Sequence, residues 1–302
     1  MISPGPPLGR RARADAWFQL EGGQRMEGGQ RMGDGMRGRF VGRTAVVTGG
    51  AGGIGRAVSA GFAAEGASVA VVDVDPEAVA DAVDALTGAG AQDGAGAQDG
   101  AGVQAVGFAV DVADPEAVAE MMRRVREALG PPRVLVTLAG GSLATPKDLD
   151  AIAPPDLDLV LDVNVKGTFY CCQAAAPYLR TGGSIVTVSS IGARQPSPVT
   201  GAPYAAAKAA IGGLTRRLAR ELGPSGVRVN AVAPGLFLTG RLQGMFDAMP
   251  PAERREVLDA IPLGRMPELR EIVDPVMFLA SDEASYVTGV TLDVNGGRYM
   301  PA

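Results

Sequence analysis

From residue 40 onward, short runs of β-branched residues alternate with longer stretches rich in alanine and leucine. Short apolar runs between turn residues are typical of buried strands, and the longer stretches are typical of helices that cover a sheet. Repetition of this unit predicts an α/β fold: one doubly wound domain with a seven-stranded parallel sheet and helices on both faces. The predicted strands are Thr44–Thr48, Ser68–Asp73, Val106–Val110, Val134–Leu138, Ser184–Ser189, Val227–Val232 and Val290–Val294.

Two predicted helices begin with the same five residues. Asp75–Val79 and Asp114–Val118 both read Asp-Pro-Glu-Ala-Val. Aspartate is a favourable N-cap, proline fits the first helical position, and the helix dipole favours glutamate in the first turn. We therefore expect a helix to start at each of these segments.

Two segments depart from the alternating pattern. Residues 1–39 are rich in Gly, Arg, Gln and Pro, which predicts a disordered extension before a domain that spans residues 40–302. Residues 87–102 include the hexapeptide Ala-Gly-Ala-Gln-Asp-Gly twice in tandem, and we expect a low-complexity insertion on the surface.

Charge and composition narrow the function. The net charge is −5 without a long Lys/Arg block, so we expect no nucleic-acid or membrane partner and a small-molecule substrate instead. No apolar run reaches the ~18 residues of a spanning helix, and Arg10-Arg11 precedes no hydrophobic signal core, so we expect a cytoplasmic protein. The neighbours Cys171 and Cys172 are better explained as small buried side chains than as a disulfide.

The complete absence of histidine removes Ser/His/Asp triads and histidine-ligated metals from consideration, and we expect no metal site. Tyr204 and Lys208 are four residues apart and therefore share one helix face. A lysine ammonium near a phenol lowers the pKa of the phenol from about 10, which makes tyrosine a usable proton shuttle. Ser189 and Ser190 end the preceding strand at the sheet edge where ligands bind, and either serine is a candidate.

A glycine-rich loop, Thr48–Gly55, leaves the first strand and opens a helix. Glycines there allow a tight turn and close approach to a pyrophosphate, which the helix N-terminus can bind. Asp73 ends the second strand about 20 residues later, the spacing of an acidic residue that binds the adenosine ribose. Because Val74 is not cationic and the loop lacks Lys or Arg, we expect NAD and not NADP, unless Asp73 is an ordinary strand-end residue.

Eight ordered motifs between Phe40 and Gly297 resemble those of the short-chain dehydrogenase/reductase family. They are Thr48–Gly55, Asp111-Val112, Leu138–Gly140, Leu161–Phe169, Gly182–Ser190, Tyr204–Lys208, Arg228–Gly235 and Tyr286–Gly297. The resemblance implies a Rossmann-type fold and an NAD-dependent enzyme that interconverts a secondary alcohol and a ketone by hydride transfer. Leu138 departs from the family pattern, which has asparagine there, and we expect a weaker central sheet.

The resemblance also implies individual roles. Tyr204 would be the general acid/base, and Lys208 would lower its pKa and bind the nicotinamide ribose. Ser190 would hold the substrate oxygen, and Asn164 would support a proton-relay water unless it caps or kinks its helix. The implied cofactor-binding residues are Gly49, Gly53, Ile54, Gly55, Asp73, Asp111, Val112, Ala139, Gly140, Tyr204, Lys208, Pro234, Gly235 and Thr239.

Residues 235–266 correspond to the family's substrate lid. Their apolar side chains suit a hydrophobic or alicyclic substrate, although packing against the core explains them equally well. Arg194 and Arg241 either meet a substrate carboxylate or lie in solvent.

Members of this family usually form dimers or tetramers through the helices that carry Asn164 and Tyr204. The small residues of these helices favour a homotetramer, or else a dimer, here, although packing on the sheet explains many of them too. Two alternative functions remain: an NADPH-dependent 3-oxoacyl-carrier-protein reductase, and a nucleotide-binding regulator without catalysis.

Overall fold

The computed structural model describes residues 38–92, 104–196 and 199–301. The strands in this part of the chain are β1 (Thr44–Thr48), β2 (Ser68–Asp73), β3 (Ala105–Ala109), β4 (Pro132–Thr137), β5 (Ser184–Val188), β6 (Arg228–Pro234) and β7 (Thr291–Val294). The helices are α1 (Gly53–Ala64), α2 (Pro76–Gln92), α3 (Pro115–Leu129), α4 (Pro154–Leu161), α5 (Gly167–Ala175), α6 (Ala202–Leu222), α7 (Arg241–Ala248), α8 (Pro251–Asp259) and α9 (Arg270–Ala280).

All seven strands form one parallel sheet in the order β3-β2-β1-β4-β5-β6-β7. The chain first runs outward from β1 to β3 and then returns to place β4 on the other side of β1. The direction of winding therefore reverses between β1 and β4, and connections at this point leave a crevice at the carboxyl ends of the strands. The predicted α/β fold with a seven-stranded parallel sheet is confirmed.

The sheet is covered on both faces by separate apolar layers. Along β1, Ala45 and Val47 belong to the layer that packs against α1, α2 and α9, whereas Val46 belongs to the layer that packs against α3 and α5. Alternate residues of a strand point to opposite faces, and a strand covered on both sides is apolar throughout. All five residues of β1 are buried for this reason.

The two repeated helix starts form as predicted. The Asp75 carboxylate accepts hydrogen bonds from the backbone N–H groups of Glu77 (3.0 Å) and Ala78 (3.2 Å). Asp114 does the same for the corresponding residues at the start of α3, at 2.9 and 3.0 Å. Each aspartate satisfies helix N–H groups that have no partner within the helix.

The predicted extension, residues 1–39, lies outside the described residues except for its end. Arg39 donates to the Glu65 carboxylate through Nε at 2.6 Å and pairs with Glu283 at 3.1 Å, so the domain's contacts begin before Phe40. Helix α2 continues to Gln92, which makes the first part of the predicted 87–102 insertion helical. The rest of that segment is outside the described residues.

Leu138 does not interrupt the central sheet. Its backbone N–H donates to the Thr48 carbonyl at 3.0 Å, and the next N–H, that of Ala139, donates to the Thr48 hydroxyl at 3.3 Å. The Leu138 side chain packs against the core. β4 pairs with β1 up to Thr48 and Thr137, although the buried Thr137 hydroxyl has no hydrogen-bond partner in the described part of the chain. The expected lower stability of the sheet stays a prediction.

Cys171 and Cys172 are buried free thiols on α5, as predicted. Burial raises the pKa of Cys171 to about 12, which keeps this thiol protonated and unreactive at neutral pH. Among the helices of the described residues, none is long and apolar enough to cross a membrane.

Candidate active site

The glycine loop forms the floor of a cleft at the carboxyl ends of β1 and β4. Gly49 has a φ of +66°, and a Cβ on it would lie 2.6 Å from the backbone nitrogen of Ala139. A Cβ on Gly55 would lie 1.9 Å from the Gly49 carbonyl oxygen, so the first turn of α1 sits directly on the loop. The N-cap of α1, Gly52, has no side chain to bond the first N–H groups, which leaves them available to an anion.

Asp73 lies at the end of β2, beside this loop. Its carboxylate accepts hydrogen bonds from the N–H groups of Ala51 (3.2 Å) and Val74 (2.8 Å). These bonds hold the loop against β2, a structural contact that the sequence pattern did not indicate. Asp73 still lines the cleft, and the neighbouring Val74 is 66% exposed.

The cleft has a volume of about 690 Å³, and every residue predicted to bind the cofactor lines it. Volumes of 300–1,000 Å³ are usual for ligand and cofactor sites. Among the described residues, Lys208 is the one cationic side chain in its lining, and it lies at the end opposite Asp73. Glycines where a Cβ would clash, free helix N–H groups and a carboxylate at the far end together fit an elongated dinucleotide.

Thr239 closes the cleft from above. It belongs to the connection between β6 and α7, and a Cβ on Gly53 would lie 2.6 Å from the Thr239 hydroxyl oxygen. The hydroxyl therefore lies over the glycine loop. This contact is with Gly53, the first residue of α1, at the glycine loop.

Ser190, Tyr204 and Lys208 meet at the inner end of the cleft. A Cβ on Gly192 would lie 3.5 Å from the Ser190 hydroxyl oxygen and 3.6 Å from Cε1 of Tyr204, so the two side chains lie close together. The Ser190 oxygen accepts a hydrogen bond from the N–H of Gly192 at 3.0 Å. Ser189 points elsewhere, because its hydroxyl donates to the Lys208 carbonyl at 2.8 Å. The geometry therefore decides between the two candidate serines in favour of Ser190.

Lys208 is buried and lies one helical turn beyond Tyr204. Its Nζ donates to the Val188 carbonyl at 2.9 Å and lies 5.9 Å from the centre of the Tyr204 ring. Burial lowers the pKa of Lys208 to about 8, because a charged ammonium is poorly solvated there.

The expectation that Lys208 lowers the pKa of Tyr204 is not met in this structure. Burial raises the pKa of Tyr204, and its hydrogen bond with Ser190 acts in the opposite direction but less strongly. The physical reason is that both Tyr204 and Lys208 are withdrawn from water, while the Lys208 ammonium is directed to a backbone carbonyl.

The burial of Lys208 predicts an unusual dependence of stability on pH. Below pH 8 the folded protein bears the full cost of the buried charge, and between pH 8 and 10.5 the unfolded chain binds the extra proton. Relative to Lys208→Met, the wild type should therefore gain up to about 3 kcal/mol in free energy of unfolding between pH 7 and pH 10. Urea unfolding at both pH values measures this difference.

Lys166→Met is the matched control, because Lys166 is exposed and paired with Asp162, which raises its pKa. The wild type should gain no stability relative to Lys166→Met between pH 7 and pH 10. A raised pKa stabilises the folded protein below the unfolded pKa, so this contribution is already complete at pH 7. An equal pH response of the wild type and Lys208→Met would show that Lys208 carries no penalty for its charge.

Asn164 is fully buried in a single π-helical segment, Asp162–Lys166, between α4 and α5. Its amide donates to the carbonyls of Gly141 and Val160, both at 2.9 Å, and accepts from the Gly141 N–H at 3.0 Å. Both amide donors are used, so the side chain clamps the chain after β4 and does not itself present a donor to a water. A Cβ on Gly140 would lie 2.3 Å from the Asn164 oxygen, which explains the glycine there.

A second cavity of about 350 Å³ adjoins the cleft. The two share five lining residues, which are Gly141, Ser190, Tyr204, Gly235 and Leu242. The region predicted as a lid carries α7 and α8. Some of its apolar residues line a cavity, as expected for substrate binding, and others pack against the core. Leu236 and Leu242 line the second cavity, whereas Phe237 is 3% exposed and packs in the core as well as lining the cleft.

Sequence reasoning missed six polar residues of the second cavity, which are Ser142, Thr145, Lys147, Gln195, Thr200 and Arg298. None belongs to a motif or ends a strand, so no local signal marked them. Arg194, which sequence reasoning did consider, instead pairs with Asp293 at 3.8 Å and lies over the Tyr299 ring. The side chain of Arg241 lies outside the described residues.

The family model described as enoyl-(acyl carrier protein) reductase matches residues 49–298. The chain is 38% identical over 260 residues to (3R)-3-hydroxyacyl-CoA dehydrogenase of Rattus norvegicus, covering 85% of this chain and 96% of the rat protein. It is also 38% identical over 261 residues to cyclohexanol dehydrogenase of a Rhodococcus species, with the same coverage of 85% and 96%.

Solved structures agree with these sequence relatives. A short-chain dehydrogenase/reductase of Brucella melitensis, named glucose/ribitol dehydrogenase, superposes with a TM-score of 0.76 at 33% identity, covering 88% of this chain and all of that one. Another from Serratia marcescens gives 0.75 at 31% identity, covering 86% of this chain and 99% of that one. With the glycine loop, the Tyr204/Lys208 pair and these relatives in agreement, the chain belongs to the short-chain dehydrogenase/reductase family.

Proposed function

We propose that this oxidoreductase is NAD-dependent and interconverts a secondary alcohol and a ketone on a hydrophobic or alicyclic small molecule. The observation that carries the proposal is that Ser190 and Tyr204 lie side by side at the junction of the two cavities and line both of them. A substrate in the smaller cavity would reach both hydroxyl groups, and a dinucleotide in the larger cleft would end at the same place.

Each residue of the pair has a distinct task in the proposed reaction. Ser190 would hydrogen-bond the substrate oxygen, with its own orientation fixed by the N–H of Gly192. Tyr204 would transfer the proton of that oxygen, accepting it during alcohol oxidation and donating it during ketone reduction. The nicotinamide ring, when bound, supplies or accepts the hydride.

Lys208 supports the proton transfer by its charge. Once Tyr204 has given up its proton, the Lys208 ammonium, 5.9 Å from the Tyr204 ring centre, would favour the phenolate. In the structure itself, burial raises the pKa of Tyr204 and the Ser190 hydroxyl lowers it. With a pKa of about 8, Lys208 is still mainly protonated at neutral pH. Asn164 would act as a positioning residue without touching the substrate. Its side chain forms two hydrogen bonds with the backbone of Gly141, which lines both cavities.

Preference for NAD is supported by the charges around the outer end of the cleft. Asp73 would accept hydrogen bonds from ribose hydroxyl groups, whereas the 2′-phosphate of NADP would bring a like charge to the same position. Among the described residues, no Lys or Arg lines this end of the cleft to offset that repulsion. This argues against the alternative of an NADPH-dependent reductase, even though the chain is 36% identical to a 3-oxoacyl-carrier-protein reductase of Staphylococcus aureus.

The names of the relatives suggest the substrates to try. Steady-state rates of NADH formation should be measured with cyclohexanol and with 3-hydroxyacyl thioesters, and rates of NADH consumption with the matching ketones. We expect turnover of at least one pair with NAD, and slower turnover with NADP. Absence of hydride transfer with every substrate and either cofactor would instead favour the non-catalytic nucleotide-binding regulator.

The predicted homo-oligomer stays a prediction. Leu157 on α4 and Phe169 on α5 are each 41% exposed, and Leu292 is exposed on the edge strand β7. Apolar side chains on these surfaces are compatible with association of identical subunits.

A further inference from the structure

The smaller cavity carries two positive charges and no negative one. Lys147 and Arg298 belong to its lining, and no Asp or Glu of the described residues does. Neither cation forms an ion pair within the described part of the chain. Surface cations are commonly solvated, but two that line one cavity beside the Ser190 and Tyr204 hydroxyls favour a negatively charged ligand there.

Ordered backbone holds both cations at the cavity. The Arg298 N–H donates to the Asn295 carbonyl at 3.2 Å, and the Asn295 side chain accepts from the N–H groups of Gly297 (3.0 Å) and Tyr299 (3.3 Å). Lys147 packs against the start of α6, because a Cβ on Gly201 would lie 3.0 Å from its Cα. The two residues are therefore anchored from opposite parts of the chain, one before α4 and one after β7.

Thr200 supplies a second and independent observation. Its hydroxyl oxygen is buried and has no hydrogen-bond partner in the described part of the chain. A Cβ placed on Gly192 would lie 3.5 Å from the hydroxyl oxygens of both Thr200 and Ser190, and 3.6 Å from Cε1 of Tyr204. A buried hydroxyl without a partner is unfavourable, and one so close to the reacting pair points to a polar group of the substrate.

We infer that the substrate carries an anionic group, a carboxylate or a phosphate, that Lys147 and Arg298 bind, while Thr200 hydrogen-bonds the substrate near its reacting carbon. The apolar Ile191 and Leu236 line the same cavity and suit the hydrocarbon between the two ends. The inference rests on the proposed function, because it takes the Ser190 and Tyr204 hydroxyls as the place of reaction.

Two matched pairs of ketones test the charge and its source. The first pair is 3-oxobutanoate and its methyl ester, and the second is the 3-oxobutanoyl thioester of coenzyme A and that of uncharged N-acetylcysteamine. The wild type should prefer the charged member of at least one pair, and the double variant Lys147→Gln/Arg298→Gln should lower kcat/KM for that member by roughly 30-fold, mainly through KM. The uncharged member should change by less than about 2-fold. A preference for the charged member of the first pair alone would identify the bound anion as a carboxylate. A preference for the charged member of the second pair alone would identify it as the phosphates of coenzyme A.

Arg217→Gln is the matched control, because Arg217 is an exposed arginine of α6 that pairs with Glu221. This variant should leave kcat/KM unchanged for all four ketones. Thr200→Val should lower kcat/KM by about 10-fold for charged and uncharged substrates alike, since it removes a hydrogen bond near the reacting carbon. Unchanged thermal unfolding of each variant shows that folding is intact.

The outcomes separate the inference from the proposed function. If the wild type treats both members of each pair alike, or if the double variant leaves the charged substrates unaffected, the inference is wrong while turnover of the uncharged ketones upholds the function. If the wild type reduces none of the four ketones and oxidises neither cyclohexanol nor the 3-hydroxyacyl thioesters, the proposed function fails and the inference fails with it.

Discussion

Replacement of Tyr204 by phenylalanine should reduce turnover by at least about 100-fold, the lower range for the loss of a positioned acid/base group. Phenylalanine keeps the buried ring but removes the hydroxyl group that lies beside Ser190 at the junction of the two cavities. Ser190 retains the hydrogen bond from Gly192, so the rest of the site should stay in place. NADH binding, followed by fluorescence titration, should therefore remain nearly unchanged while kcat falls.

Tyr286→Phe is the control for this experiment. Tyr286 is fully exposed and lies before β7, outside the lining of either cavity, so the same chemical change there should leave kcat unaffected. Comparison of kcat for the two variants with the wild type separates loss of proton transfer from a general effect of removing a phenol. Turnover of Tyr204→Phe within a few-fold of the wild type would remove Tyr204 from the proposed mechanism.

The second large effect concerns the choice of cofactor. The wild type should prefer NAD, and replacing Asp73 by serine and Val74 by arginine should lower the ratio of kcat/KM for NAD over NADP by about 100-fold, roughly 2.7 kcal/mol of differential binding. The carboxylate that would repel a 2′-phosphate is removed, and a guanidinium that can bind it is added at a position that is 66% exposed.

Because Asp73 also holds the glycine loop, the cofactor experiment needs controls for a change in structure. Its carboxylate accepts from the N–H groups of Ala51 and Val74, and serine offers one acceptor oxygen where aspartate offers two. Val74→Arg alone keeps both hydrogen bonds and should shift the ratio less than the double variant does. Thermal unfolding of all three proteins shows whether the glycine loop stays attached to β2. A wild type that already prefers NADP, or a ratio that the double variant leaves unmoved, would show that Asp73 does not bind the ribose.

Local patterns in the sequence were sufficient for much of the fold and the cofactor cleft. The positions of strands and helices along the chain follow from the alternation of apolar runs with helical stretches, because these periods are set by backbone geometry. The caps at Asp75 and Asp114 act within three residues, so they too could be predicted from sequence alone. The glycine loop and Asp73 lie at the ends of adjacent strands, and a parallel sheet brings such ends together without further information.

Other features depend on contacts between distant parts of the chain. Arg228, for example, is buried and donates to the last two carbonyls of α9, those of Leu279 (2.7 Å) and Ala280 (3.3 Å), and to the carbonyl of the following Ser281 (2.8 Å). A cation at a helix C-terminus is stabilising, but the pairing joins residues more than 50 positions apart and leaves no local pattern.

The site divides in the same way. Sequence motifs identified Tyr204, Lys208 and the pair of serines, because their spacing on one helix and one strand end can be seen in the chain. Which serine faces Tyr204 was decided by packing, since a single hydrogen bond to the Lys208 carbonyl turns Ser189 away. Burial likewise decided that the pKa of Tyr204 is raised and not lowered. Desolvation depends on all the groups that surround a side chain in the fold, and not only on its neighbours in sequence. Lys147, Thr200 and Arg298 meet at one cavity only because three separate loops are folded together there.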